Sequence, residues 1–311
     1  MSSEIEFGAM LNNMGRPDVV NPDCYEEVAR LGEDLEYDIL QVPDHIVLPE
    51  DFDESEYPFN SEGKPPFDIE DHVYDQYTVL SYLSGLVSDV KVGTNVSIVP
   101  IRHPLLLLRL LTSVNSLSDR GLELGVGAGW SREEYEALDV PFDERGGRLD
   151  EFFEILEIAA ENPEFSYDGK HFSFQTVSLY PTLEDGIPTY MGGYSGATFR
   201  RVGQFADGWT AAWARPEEIA SSRERIMNAW TDFDRDGEPK ISLTRPVDVA
   251  GDTARDTDRP LVGDPDSIIE DVQRYVDAGV TRINIDYFDR TREDVARTVR
   301  VFGEEVIPSF A

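Results

Sequence analysis

Residues Val90–Trp130, VKVGTNVSIVPIRHPLLLLRLLTSVNSLSDRGLELGVGAGW, decide the fold. They read as a buried strand, an Arg-His-Pro corner, a helix, a glycine corner, a second buried strand and then Gly-Val-Gly-Ala-Gly-Trp. Two apolar β-branched runs joined by one helix make a right-handed parallel β-α-β unit. The glycines fall at the carboxyl end of the second strand, where parallel α/β sheets hold their ligands.

Working outward, the same alternation fills the chain. Strand candidates are Ile5–Leu11, Ile39–Pro43, Val90–Val99, Leu122–Val126, Pro188–Met191, Trp209–Trp213, Ile241–Val249 and Arg282–Tyr287. Amphipathic stretches lie between them: Pro22–Leu35, Asp71–Leu86, Pro104–Leu117, Ser131–Leu138, Gly147–Glu161, Gly196–Phe205, Pro216–Phe233 and Pro265–Ala278, with Arg292–Val306 at the end. Asn21-Pro22 and Asp264-Pro265 are helix starts, and Ser131 with Glu134 has capping-box spacing. Eight strands, each followed by a helix, is the count of a (β/α)8 TIM barrel. A doubly wound sheet is the second choice. Three stretches exceed a minimal barrel and read as insertions after strands 2, 4 and 7: Val47–Ile69, Phe165–Asp185 with a hairpin around Asp168-Gly169, and Gly251–Gly263. The expected organisation is one domain over residues 1–311.

The 311 residues carry 62 acids against 27 bases, a net charge of −35, and only four of the bases are lysines. Such repulsion is tolerable where salt screens it, so the composition points to a halophilic, salt-loaded cytoplasm such as that of a halophilic archaeon. It argues against nucleic acid and anionic membranes as partners, since both call for basic surface. No apolar run approaches the roughly 18 residues that span a bilayer, and the start MSSEIEF lacks the marks of a signal peptide. Cys24 is alone, so no intrachain disulfide is expected. A cytoplasmic protein acting on a small-molecule substrate is the expectation.

Several residues could carry chemistry. Gln41-Val-Pro-Asp44-His45 ends strand 2, and a His there can be acid, base or donor, or simply be satisfied by Asp44. His103 reads as a helix cap, His72 lies at a helix start and His171 sits in the hairpin. Gly125-Val-Gly-Ala-Gly129 has the wrong spacing for a dinucleotide fingerprint and suits the approach of a flat ring or a phosphate. Met191-Gly-Gly-Tyr-Ser-Gly196 opens a helix at Ala197-Thr198. Its backbone N–H groups and the Ser195 and Thr198 hydroxyls make an anion site, or else an ordinary capped turn. Metal-ligand spacings, a P-loop and a nucleophile elbow are all missing from the sequence, so no metal is expected. An aldolase-type Lys is poorly served by Lys91 and Lys240, both at strand starts.

Together these segments resemble the luciferase-like monooxygenase superfamily, the flavin- and deazaflavin-dependent barrels related to bacterial luciferase. The marks are Phe7-Gly8, Val42-Pro-Asp-His45, Val92–Pro104, Leu117–Trp130, Val140-Pro-Phe-Asp-Glu-Arg-Gly146, Met191-Gly-Gly193 and Ala206-Asp-Gly-Trp209. Gly-Trp-x-x-Glu-Glu and Pro-Phe-x-Glu-Arg-Gly look most like the branch of F420-dependent oxidoreductases. The resemblance implies hydride transfer between coenzyme F420 and a small organic substrate. The alternatives are a reduced-FMN monooxygenase and a flavin-binding paralogue without turnover. It implies a homodimer. It makes His45 the catalytic residue, with a non-prolyl cis peptide at Asn95-Val96 behind the cofactor ring. Asp44, Thr94, Asn95, Val96, Gly127, Ala128, Gly129, Trp130, Gly192, Gly193, Ser195 and Gly196 become cofactor-binding positions, with Arg102 or Arg200 as further anchors. Trp130 stands where the best-known sugar-phosphate and alcohol dehydrogenases of the deazaflavin group carry a Glu, so their substrate chemistry does not transfer.

Overall fold

The structure is a computed structural model describing residues 5–50, 52, 54–58, 63, 65, 70–183, 186–249, 261–287 and 291–310. Eight strands close into a parallel barrel. They are β1 (Glu6–Met10), β2 (Ile39–Val42), β3 (Lys91–Ile98), β4 (Leu122–Gly127), β5 (Thr189–Gly192), β6 (Gly208–Ala212), β7 (Lys240–Pro246) and β8 (Arg282–Asp286). All eight are the expected strands, and their ring order follows the chain, with β1 pairing β8 to close it. The strands are buried on both faces, apolar where they meet the helices and in several places polar where they face into the barrel.

The helical layer is α1 (Pro22–Asp34), α2 (Gln76–Ser84), α3 (Pro104–Leu117), α4 (Arg132–Ala137), α5 (Arg145–Glu161), α6 (Gly196–Phe205), α7 (Pro216–Asp232), α8 (Pro265–Asp277) and α9 (Arg292–Val301). Side-chain caps fix the starts: Asn21 accepts from the Cys24 amide and Asp264 from the Ser267 amide. Two expectations shift. α2 begins at Gln76 under an Asp75 cap, because His72–Val73 pairs instead with Met14–Gly15 in a small antiparallel sheet. The closing helix gives way at Phe302–Val306 to a wider turn. The hairpin forms as expected, Glu164–Asp168 against Ser173–Ser178. Residues 251–260 of the third expected insertion, and much of the first, lie outside the described residues.

The apolar core fills the layer between barrel and helices, where Val92, Leu124, Ile241 and Ile283 meet Leu107, Leu108, Ile226 and Val272. Inside the barrel the packing is polar. Arg282 forms a two-pronged ion pair with Glu123, 2.8 Å at one prong, over the face of Tyr190. Above that pair Asn284 donates to Ser242 at 2.8 Å, and Gln41 reaches Glu123 at 3.4 Å. No described helix is long and apolar enough to cross a membrane.

Candidate active site

The carboxyl ends of the strands open into a cavity of about 780 Å³. Its floor is β3. There the pairing with β4 slips between Thr94 and Ser97, and the Asn95–Val96 peptide is cis. Asn95 is held through its amide, which donates to Gln41 Oε1 at 2.9 Å and Thr244 Oγ1 at 2.6 Å, while Thr210 donates to its oxygen at 3.3 Å. The Val96 side chain lies across β4: a Cβ at Gly127 would come within 2.6 Å of it. The glycine at 127 therefore serves the close approach of Val96 and at the same time leaves the cavity wall low.

His45 lines the cavity just past β2 and is buried. The expected neighbour Asp44 does not hold it. Asp44 makes a two-pronged ion pair with Arg102, 2.9 Å at one prong, and accepts from the Ile98 amide at 2.8 Å. Its carboxylate is thus committed to β3 and the turn after it rather than to a ligand, and Arg102 is committed with it. The partner of His45 is Glu134, on α4. His45 Nδ1 lies 2.8 Å from Glu134 Oε2, while Glu134 Oε1 accepts from the Ile46 amide at 2.7 Å. A carboxylate only accepts, so the Nδ1 position carries the proton and the ring orientation is fixed. Only half of the expected capping box forms: Ser131 accepts from the Glu134 amide at 3.1 Å, and the Glu134 carboxylate goes to His45 instead.

Trp130 forms one wall. Phe52 stacks on it at 5.4 Å, Tyr57 meets it edge-on at 5.3 Å and His45 at 5.9 Å. The first expected insertion thus contributes two aromatic rings to the mouth. Ala128 and Gly129, just before Trp130, and Gly192, Gly193 and Ser195 at the end of β5 also line the cavity, with Gly193 at φ +110° in a conformation that favours glycine. Ser195 caps α6, accepting from the Thr198 amide at 3.0 Å. The other first-turn amides of α6 have no acceptor within the helix, which makes that end suited to an anion. Arg145 and Arg201 also line the cavity, and Arg201 is anchored to Asp150 at 2.7 Å.

Besides Arg102, three further expected cofactor contacts do not line the cavity. Thr94 is fully buried with its hydroxyl on the Gly125 carbonyl at 2.7 Å. Gly196 begins α6 but is not on the cavity surface. Arg200 points along the exposed face of α6 to Gln204 at 3.0 Å. His103 caps α3 through its own ring, accepting from Leu105 at 3.2 Å. His72 reaches the Val20 carbonyl and His171 reaches Glu144. Among the described residues no cluster of His, Cys, Asp or Glu is arranged to hold a metal ion.

Nothing local in the sequence marks Glu134 as the partner of His45. Arg145, Arg201 and the carboxyl of Asp286 are also cavity residues that were not expected, and Asp286 closes the inward-facing row Arg282, Asn284, Asp286 on β8. That row was legible: helices cover the outer face of a barrel strand, so polar residues at every second position face inward.

Residues 5–260 match the luciferase-like monooxygenase family. The chain belongs to that family. Its relatives include an F420-dependent glucose-6-phosphate dehydrogenase from Microbacterium testaceum, 22% identical, covering 89% of this chain and 90% of the relative. The F420-dependent tetrahydromethanopterin reductase of Methanopyrus kandleri superposes with a TM-score of 0.78 at 18% identity, covering 99% of this chain and 100% of that one. The oxygenating constituent of 3,6-diketocamphane monooxygenase from Pseudomonas putida, in complex with FMN, superposes at 0.72 and 13% identity, covering 99% of each chain. At these identities the two structural likenesses speak for the fold alone. The sequence relatives of this chain thus include F420-dependent dehydrogenases.

Proposed function

We propose that the chain is an oxidoreductase that moves hydride between coenzyme F420 and a small organic substrate. The observation that carries this reading is His45, locked by Glu134 against a large cavity at the carboxyl end of the barrel. The residues present fit a flat, phosphate-bearing cofactor. Val96, Ile98 and Met191 offer an apolar floor, and the low glycine wall of Gly127 and Gly192 leaves room beside it. Gly193, Ser195 and the start of α6, with Arg145 and Arg201, would hold a phosphate. When bound, the cofactor supplies a ring carbon that gives or takes hydride. His45, with Nδ1 committed to Glu134, exchanges a proton with substrate through Nε2. Trp130, Phe52 and Tyr57 keep water from the reacting atoms.

The Gly129-Trp-Ser-Arg-Glu-Glu134 and Pro141-Phe-Asp-Glu-Arg-Gly146 segments, with F420-dependent proteins among both the sequence relatives and the structural neighbours, support F420. An FMN-bound structural neighbour supports the second reading, a reduced-FMN monooxygenase using the same residues. The charge of −35 supports work in a salt-loaded cytoplasm, as in a halophilic archaeon, and the family resemblance supports a homodimer. Titrating the purified chain in molar salt with F420 and with FMN, reading fluorescence quenching, tests the proposal. Saturable F420 binding at least tenfold tighter than FMN is expected. Tighter FMN binding selects the second reading, and binding of neither overturns both.

A further inference from the structure

The cavity has two chemically opposite sides. The β4–β5 side carries the α6 N-terminus and Arg145, with Arg201 paired to Asp150 and Asp143 paired to Arg132 beside them. Directly across the ring, the β8–β1–β2 side carries Asp286, Asn12 and His45. Asp286 is fully buried at the end of β8. Among the described residues both of its hydrogen-bond donors serve Oδ1: the Tyr287 amide at 2.7 Å and the Asn12 side chain at 3.4 Å. No Lys or Arg among the described residues pairs with it, unlike Asp44 with Arg102 or Glu123 with Arg282. It shares the cavity with the apolar side chains Met10 and Met14, and it lies close enough to Tyr57 to act on that phenol. Burial pushes the Asp286 carboxyl up to about 6, against the pull of its two donors. A carboxyl left in a ligand cavity without a counter-ion calls for a use.

We propose that Asp286 and Asn12 are the specificity-determining pair for substrate, selecting an uncharged alcohol or its carbonyl counterpart on an apolar body and rejecting phosphorylated or carboxylated compounds. A substrate hydroxyl donates to the Asp286 carboxylate. A substrate carbonyl accepts from the second N–H of the Asn12 amide. An anionic head at this place meets like charge in a poorly solvated wall, with Arg145 and Arg201 on the far side. The inference rests on the oxidoreductase reading, since it names the substrate class for the side of the cavity that the cofactor leaves open.

Benzyl alcohol and benzoate, matched in size to the aromatic wall, are suitable probes. Their binding to the F420-saturated full chain in molar salt is read by ligand-observed NMR, and F420 binding is read separately by fluorescence. Wild type is expected to bind benzyl alcohol at least tenfold tighter than benzoate. Asp286→Asn should raise benzoate affinity about tenfold, with benzyl alcohol held within about threefold. Asp232→Asn, which removes the same charge from the exposed end of α7, should leave the ratio unchanged. Asp286→Ser gives the same comparison should the Asn variant misfold. Equal binding of the two probes to wild type, no binding of either, an unaltered ratio in the Asp286 variants, or an equal shift in Asp232→Asn each overturns the proposal. If F420 fails to bind, the probes are run on the chain alone. Discrimination there sustains the role of Asp286 and overturns the F420 reading, whereas F420 binding without discrimination does the reverse.

Discussion

Arg282 and Asp286 stand four residues apart on the same inward face of β8, and they are opposite cases. At the floor of the barrel Arg282 is paired with Glu123 by two prongs, reached by Glu6 at 3.4 Å and covered by the Tyr190 ring. At the mouth Asp286 has two amide donors and no counter-ion among the described residues. Both are removed from water. The floor compensates its charge and so belongs to the scaffold. The mouth leaves its charge uncompensated, at a cost in stability, and turns it toward a cavity. The same contrast separates Asp44, committed to Arg102, from Glu134, committed to His45. One pair fixes the scaffold beneath the site, and the other presents a titratable ring to it.

The largest effect expected separates exposed charge from the buried pairs. Below roughly molar salt the surface repulsion of net charge −35 is unscreened, so the whole chain should unfold, which circular dichroism across a salt series would follow. A cooperative native fold in dilute buffer would remove the salt-adapted reading while leaving the contrast along β8 intact. Next in size is the floor. Arg282→Met strands Glu123 without its partner and should cost about 3–5 kcal/mol in urea melts at high salt. The double variant Arg282→Met with Glu123→Leu should recover most of that loss, because two apolar groups replace two desolvated charges. F420 affinity in the double variant should stay within a few-fold of the parent. A large loss of affinity there would break the division between scaffold floor and functional mouth.

His45→Ala should do the opposite of Arg282→Met. It should keep the melting point and most cofactor affinity while lowering turnover by roughly 10²–10⁴, the usual worth of a positioned acid or base. Glu134→Gln keeps the shape and removes the charge that fixes the ring, so a smaller loss of roughly tenfold to a hundredfold is expected, together with a shifted pH–rate profile. Near-normal turnover with a lowered melting point in His45→Ala would make His45 part of the scaffold.

The barrel was legible because its information is local. The β-branched runs, the Pro and Asn caps and the glycine corners each act within a few residues, and all eight strands follow from them. α2 was placed too early because His72–Val73 pairs with residues nearly sixty positions away, a contact that no local pattern encodes. The site divides in the same way. His45 and the Asn95–Val96 peptide sit in segments whose resemblance to the family is clear. The carboxylate of Glu134 had a local explanation, the capping box, and its actual partner lies 89 residues back in the chain. Asp44 and Arg102 likewise find each other across 58 residues. Asp286 was missed for a different reason: Arg-Ile-Asn-Ile-Asp reads as a half-exposed strand until the helices outside it are counted.

The contrast along β8 is tested most directly by the stability of Asp286→Asn against the parent as a function of pH. The fold raises this carboxyl from 3.8 to about 6, so the native state favours the neutral form. Its contribution is fully present below about pH 4 and is lost as pH rises through about 6. Urea unfolding in molar salt should therefore give equal stabilities for the two proteins near pH 4. Near pH 7.5 the variant should be the more stable by on the order of 1–3 kcal/mol, because it no longer holds a buried charge. A variant that is less stable than the parent at pH 7.5 would show Asp286 to be a compensated part of the scaffold, like Arg282, and would contradict the division drawn between the two ends of the strand.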